Sequence, residues 1–165
     1  MLERLSLTSV GPASQMTLSL APRLNIITGD NGLGKTFLLD IAWWALTRTW
    51  AGEQAWPRKG EQKTASISHE IRGKTKPAER SSTFDVQSQT WRPGGRQRPS
   101  MPGLVLYTRI DGGFSLWDPA RNHYKKWSAR NYEDSERPAA YHFDNKSLWN
   151  GLQEGNKILC NGLIR

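Results

Sequence analysis

An α/β fold is what the sequence predicts, on three observations. The first 28 residues carry short apolar runs at strand spacing. A glycine-rich segment, Gly29 to Thr36, then gives way to apolar residues at helical spacing, and from Ser66 onward the chain returns to strand alternation broken by turn residues. The expected sheet is mixed around the first helix, with an antiparallel β region beyond it.

Leu2, Leu5 and Leu7 mark a first strand and Met16, Leu18 and Leu20 a second, separated by the turn signal Gly11-Pro12-Ala13-Ser14. Alternation implies one wet face for each. Leu24 to Thr28 is nearly continuous in apolar residues, which predicts a third strand, central and buried on both faces. From Lys35, residues Leu38, Ile41, Ala42 and Ala45 recur on one side of a helix that fades near Thr49 to Gly52; Trp43 and Trp44 widen its apolar face. Residues 52–64 are a polar connection. Strands follow at Ser66 to Arg72, Ser82 to Trp91, Leu104 to Ile110, Phe114 to Trp117, His123 to Trp127 and Ala140 to Phe143. Asp111-Gly112-Gly113 is a tight hairpin signal. Arg92 to Gly103, rich in Gly, Pro and Arg, predicts a mobile loop, and Ser147 to Gln153 a short helix. The reading is one domain over 1–165: residues 1–52 around the glycine-rich segment, an antiparallel β region over 65–143 containing the loop 92–103, and a helical end over 144–165.

Charge narrows the function classes. The 165 residues hold 23 Lys and Arg against 15 Asp and Glu, and residues 51–100 carry ten of the basic side chains against five acidic ones. This balance suits contact with a polyanion, and the Arg-rich segment 92–98 is the best candidate for it. No run approaches the roughly 18 apolar residues of a membrane-spanning helix, and the N-terminus lacks the basic head and apolar block of a secretory signal. No membrane association and a cytoplasmic location are therefore expected. A single cysteine, Cys160, excludes an internal disulfide and a cysteine-based zinc site. Trp43, Trp44, Trp91, Trp117, Trp127 and Trp149 are expected in core packing, and His69, His123 and His142 as surface or sheet residues.

The chemistry lies in Gly29-Asp30-Asn31-Gly32-Leu33-Gly34-Lys35-Thr36, which satisfies the phosphate-loop pattern G-x-x-x-x-G-K-[ST] between a buried-type strand and an amphipathic helix. Gly29, Gly32 and Gly34 permit backbone conformations in which successive N–H groups, including those of Asn31, Leu33 and Phe37, point at phosphate oxygens. The helix N-terminus adds unsatisfied donors and positive potential. Lys35 is expected to reach the β- and γ-phosphates, and Thr36 to offer its hydroxyl to Mg²⁺. Asp30 reads as a loop-shaping residue. ATP with magnesium is the expected ligand.

Asn25-Ile26-Ile27-Thr28 followed by that loop and by Phe37-Leu38-Leu39-Asp40-Ile41-Ala42 resembles the N-terminal lobe of ABC-type ATPases of the SMC and RecF kind, many of which pass loosely as AAA family ATPases. The resemblance covers residues 1–50 and implies a P-loop NTPase lobe acting in a DNA-related or anti-phage process, with a nucleotide-dependent dimer and nucleic acid as possible partners. Relatives of that kind also carry a Leu-Ser-Gly-Gly type signature, an acidic strand ending in Asp-Glu and a switch histidine, and none of these is in this chain. The expectation is thus half an ATPase that needs a C-terminal half or partner chain, binding ATP but not turning it over alone. A stand-alone nucleotide-binding module without hydrolysis and a P-loop phosphotransferase are the alternatives. The phosphotransferase suffers from the antiparallel hairpins after the loop, where helices and parallel strands belong.

Overall fold

The computed structural model describes residues 1–72, 77–94, 103–119, 140–154 and 157–160. The chain divides into two compact units, Met1–Pro102 and Gly103–Arg165. It is α/β, and among the described residues every paired strand is antiparallel to its neighbour.

The first unit holds a five-stranded sheet in the order β2-β1-β3-β4-β5, built from β1 (Leu2–Thr8), β2 (Gln15–Ser19), β3 (Ser66–Arg72), β4 (Pro77–Asp85) and β5 (Thr90–Pro93). The alternation read in β1 and β3 fixes which face is dry. Leu5, Leu7 and Ile67 face the helix α1 (Lys35–Thr47) and pack there with Ile41, Trp44, Ala45, Phe84 and Trp91. Each fully buried aliphatic side chain contributes about 1.5–3 kcal/mol relative to exposure. Trp91 adds a polar tie, because its Nε1 donates to Ala55 O at 2.8 Å. The opposite face of the sheet is a ladder of hydroxyls, with Ser6, Ser68 and Ser81 adjacent on β1, β3 and β4.

The sheet expected to be mixed is antiparallel in every described pairing, and three further expectations fail in this unit. Ser82 to Trp91 is not one strand: β4 ends at Asp85, whose Oδ1 accepts from the N–H groups of Gln87 and Ser88, and Gln89 turns the chain at φ 52° into β5. A carboxylate that satisfies two amides makes a turn without Gly or Pro. Arg92 and Pro93 belong to β5, paired with Thr83 and Ser82; within the predicted mobile loop, residues 95–102 lie outside the described residues. Leu24 to Thr28 forms no strand, and Leu24 and Ile26 are 73% and 77% exposed. An apolar run becomes a doubly buried strand only where strands flank it, and no described strand runs beside this one. Asn25 instead clips the segment to Ala21, accepting from its N–H at 2.7 Å and donating to its carbonyl at 3.0 Å.

The second unit holds a three-stranded sheet of β6 (Val105–Thr108), β7 (Phe114–Trp117) and β8 (Tyr141–Phe143). The Asp111-Gly112-Gly113 turn joins the first two as the sequence predicts, with Gly112 at φ 81°. The C-terminal helix is α2 (Asn145–Asn150), capped by Asp144, which accepts from Ser147 N–H at 2.6 Å. It is shorter than Ser147 to Gln153 suggests at its far end, because Gly151 ends it and Leu152–Glu154 forms β9, paired with β10 (Lys157–Cys160). Trp149 is 47% exposed rather than in a core. The predicted strand His123 to Trp127 lies outside the described residues. Among the described residues no helix is long and apolar enough to cross a membrane.

Candidate phosphate-binding loop

Gly29, Gly32 and Gly34 all take positive φ, at 143°, 86° and 84°, so the loop runs through conformations that L side chains resist. Gly34 is the N-cap of α1, left-handed and without a side-chain cap, and the first turn of α1 holds no acidic residue. The exposed end of the helix therefore keeps uncancelled positive potential and unpaired amides, which suits an anion. Lys35 Nζ folds back over the loop, donating to the carbonyls of Gly29 at 2.7 Å and Asp30 at 2.6 Å. The ammonium thus lies beside the loop, within the region that phosphate oxygens would enter. Asn31, Leu33 and Thr36 are exposed around it, and Phe37 is half-buried. The donor set fits a phosphate chain. Thr36 offers one oxygen to a cation, and among the described residues no cluster of three or more His, Cys, Asp or Glu side chains stands ready to hold one.

The loop is braced by residues that sequence reasoning passed over. Gly11, at φ 80°, lies so close to Phe37 that a Cβ there would clash with the ring, and Pro12 Cγ would sit 3.2 Å from a Cβ on Gly34. Arg58 Nη1 donates to Pro12 O at 2.8 Å, and the Arg58 N–H donates to Ser9 O at 2.9 Å. The turn between β1 and β2 therefore presses on the start of α1, held there by a residue in the polar connection. The only sequence signal for it was the Gly11-Pro12 pair.

His69 takes the sheet position expected of it, on the buried face. It lies on β3 and is only 1% exposed, and neither ring nitrogen has a hydrogen-bond partner among the described residues. Burial first, then the charges of Arg48 and Arg80, push its pKa down to about 4. Arg48 is the left-handed C-cap of α1, with its guanidinium over the Trp44 ring at 4.7 Å and Nη1 donating to Ser82 Oγ at 3.0 Å. In the second unit His142 Nδ1 is 2.8 Å from Ser115 Oγ, which also accepts from Arg109 at 3.1 Å. Ser115 is fully buried, so the pair joins strands and presents no nucleophile. His123 lies outside the described residues.

No family model matches the chain. A stretch of 39 residues is 56% identical to the DNA replication and repair protein RecF of Stutzerimonas stutzeri (strain A1501), covering 24% of this chain and 10% of that protein. The match supports a coarse relationship to that ATPase type, and the chain spans about a tenth of the length of that relative.

Proposed function

We propose that this chain is the ATP-binding part of an ATPase of the SMC and RecF kind, coupled to a DNA-related process. The observation that carries the reading is the loop itself: three glycines at positive φ, an uncapped and acid-free helix start, and Lys35 already turned onto the loop carbonyls. When ATP enters, Lys35 exchanges those two carbonyls for phosphate oxygens, and the loop and first-turn amides donate to the remaining ones. Magnesium, when bound, offsets phosphate charge, and Thr36 is the residue that would hold it. Leu24, Ile26 and Leu33, all more than 60% exposed beside or within the loop, support a complementary half or partner chain that covers this side. Such a surface would supply a water-orienting carboxylate and a second phosphate contact.

Calorimetric titration with ATP and Mg²⁺ tests the reading. Lys35→Ala removes a charge-assisted contact and is expected to weaken binding by about 1.5–3 kcal/mol, roughly ten- to a hundred-fold. Equal affinity in the two proteins would sink it.

A further inference from the structure

Ser9, where β1 gives way to the turn that leads into β2, takes φ 57°. Only glycine adopts that left-handed conformation freely, and another residue keeps it where its surroundings over-determine it. They do so here. The Ser9 N–H donates to Ser14 O at 2.7 Å, the Ser9 carbonyl accepts from the Arg58 N–H at 2.9 Å, and the Ser9 hydroxyl lies 3.1 Å from Thr64 Oγ1. Residues 58–64 are themselves coiled into turns, with the Glu61 N–H on Arg58 O and the Thr64 N–H on Glu61 O, and Pro57 bridges Val10. The β1–β2 turn is thus fastened by the connection that follows α1.

Arg58 carries that fastening forward to the glycine loop. Its Nη1 donates to Pro12 O at 2.8 Å and its Nε faces Glu61 Oε1 at 3.5 Å, so the guanidinium is held by a hydrogen bond at one end and by charge at the other. Pro12 in turn fills the space beside Gly34, with Cγ 3.2 Å from where a Cβ would stand, and Gly11 is pressed against the Phe37 ring. Gly34 is the left-handed N-cap of α1 and has no side-chain cap. The direction of the first-turn amides therefore depends on what packs against it. Moving Pro12 moves the donors that an anion meets.

We propose that Arg58 is a positioning residue for the glycine loop: by holding the Pro12 carbonyl it keeps the Pro12 ring on Gly34, and so sets the left-handed helix start at which a nucleotide phosphate binds. Arg58 acts through Pro12 and not on the nucleotide itself. Its effect on affinity rests on the reading of that loop as an ATP site; its effect on the loop geometry does not. The side chain is 36% exposed and stands outside the apolar core, so its replacement leaves that core intact.

Arg58→Gln keeps the backbone N–H on Ser9 O and loses only the guanidinium. The Gly34 and Leu38 amides in ¹H–¹⁵N spectra of the nucleotide-free protein are expected to shift. ATP affinity in the presence of Mg²⁺, by calorimetry, is expected to fall about tenfold, the worth of one charge-assisted hydrogen bond. Arg72→Gln, which loses a surface ion pair with Glu3 in the same unit, is the control and should change neither. Pro12→Ala keeps the carbonyl and removes the ring, so it should weaken ATP binding similarly, and the double variant should bind no more weakly than the weaker of the two singles. Losses that add would place Arg58 on the nucleotide and overturn the positioning role. So would unmoved Gly34 and Leu38 amides, or moved amides with unchanged affinity. Shifted amides in a protein whose wild type binds no ATP would support the positioning of the loop and sink the ATP reading instead. Glu61→Gln frees the other end of the guanidinium and should shift the same amides in the same direction; it serves where Arg58→Gln does not fold, and unmoved amides there overturn the proposal.

Discussion

Acid should loosen the first unit through one buried imidazole. His69 has a folded pKa near 4 against 6.5 for the free side chain, because burial and the charges of Arg48 and Arg80 disfavour its protonated form. Between those values the unfolded chain binds the proton and the folded one does not. Stability is therefore complete above pH 6.5, falls as pH drops toward 4, and loses nothing more from this group below that. The full difference corresponds to about 3 kcal/mol, a large share of the ~5–15 kcal/mol that holds a typical domain together. Asp85 and Asp144 have pKa values lowered chiefly by backbone hydrogen bonds, from Ser88 and Ser147. Their stabilisation is present above the ordinary carboxylate pKa and is lost only at lower pH, outside this window. His142, also lowered by burial and by Arg109, titrates in the same direction, so the comparison must isolate His69. Urea unfolding of wild type and of His69→Gln, measured at several pH values from about 7.5 to 4.5, does so: the wild type should lose about 2–3 kcal/mol more than the variant. Equal losses would refute the reasoning, and would mean that the ring is solvated or paired in solution.

How much of this was legible depends on whether the signal was local. The strands Ser66–Arg72 and Phe114–Trp117 and the helix from Lys35 were read with correct or nearly correct bounds, because a buried face repeating at period 2 or 3.6 is written into consecutive residues. The positive-φ glycine loop before α1 was legible for the same reason, since its glycines and lysine lie within eight residues. The β4–β5 turn was not, because Asp85 makes it with a side-chain acceptor and Gln89 takes a left-handed φ that its identity does not advertise. Leu24 to Thr28 misled because apolar content states a preference for burial but not that a neighbour exists to satisfy it. His69 is the sheet residue it was expected to be, but its burial was hidden. Its polar neighbours Ser68 and Glu70 lie on the other face of β3, so a window average hides a residue that alternation places inside. The brace of Gly11, Pro12 and Arg58 on the loop reaches across 46 residues in sequence, and only its Gly11-Pro12 turn is written locally.

Three further outcomes follow. Gly32→Ala meets nothing within 4 Å, so it should cost only the left-handed backbone strain, about 1 kcal/mol; Gly34→Ala has the same strain plus Pro12 at 3.2 Å, and should lower both thermal stability and ATP affinity further. The order reversed in calorimetry would mean that the turn does not brace the loop. Trp91→Phe keeps a ring against Phe84 and Trp44 but strands Ala55 O, at about 1–3 kcal/mol in urea unfolding; no measurable loss would show that water reaches that carbonyl. Last, the purified chain should bind ATP without turning it over. Phosphoryl transfer needs an in-line water, a group to orient it and positive charge on the equatorial oxygens, and positioning supplies most of the acceleration. Lys35, Thr36 and the loop amides provide part of the charge alone, and Lys35 must first release the carbonyls of Gly29 and Asp30. A steady-state phosphate-release assay with Lys35→Ala as the control for contaminants reads this directly. Sustained turnover that disappears in that variant would place a water-orienting carboxylate within this chain, and the need for a complementary half would fall with it.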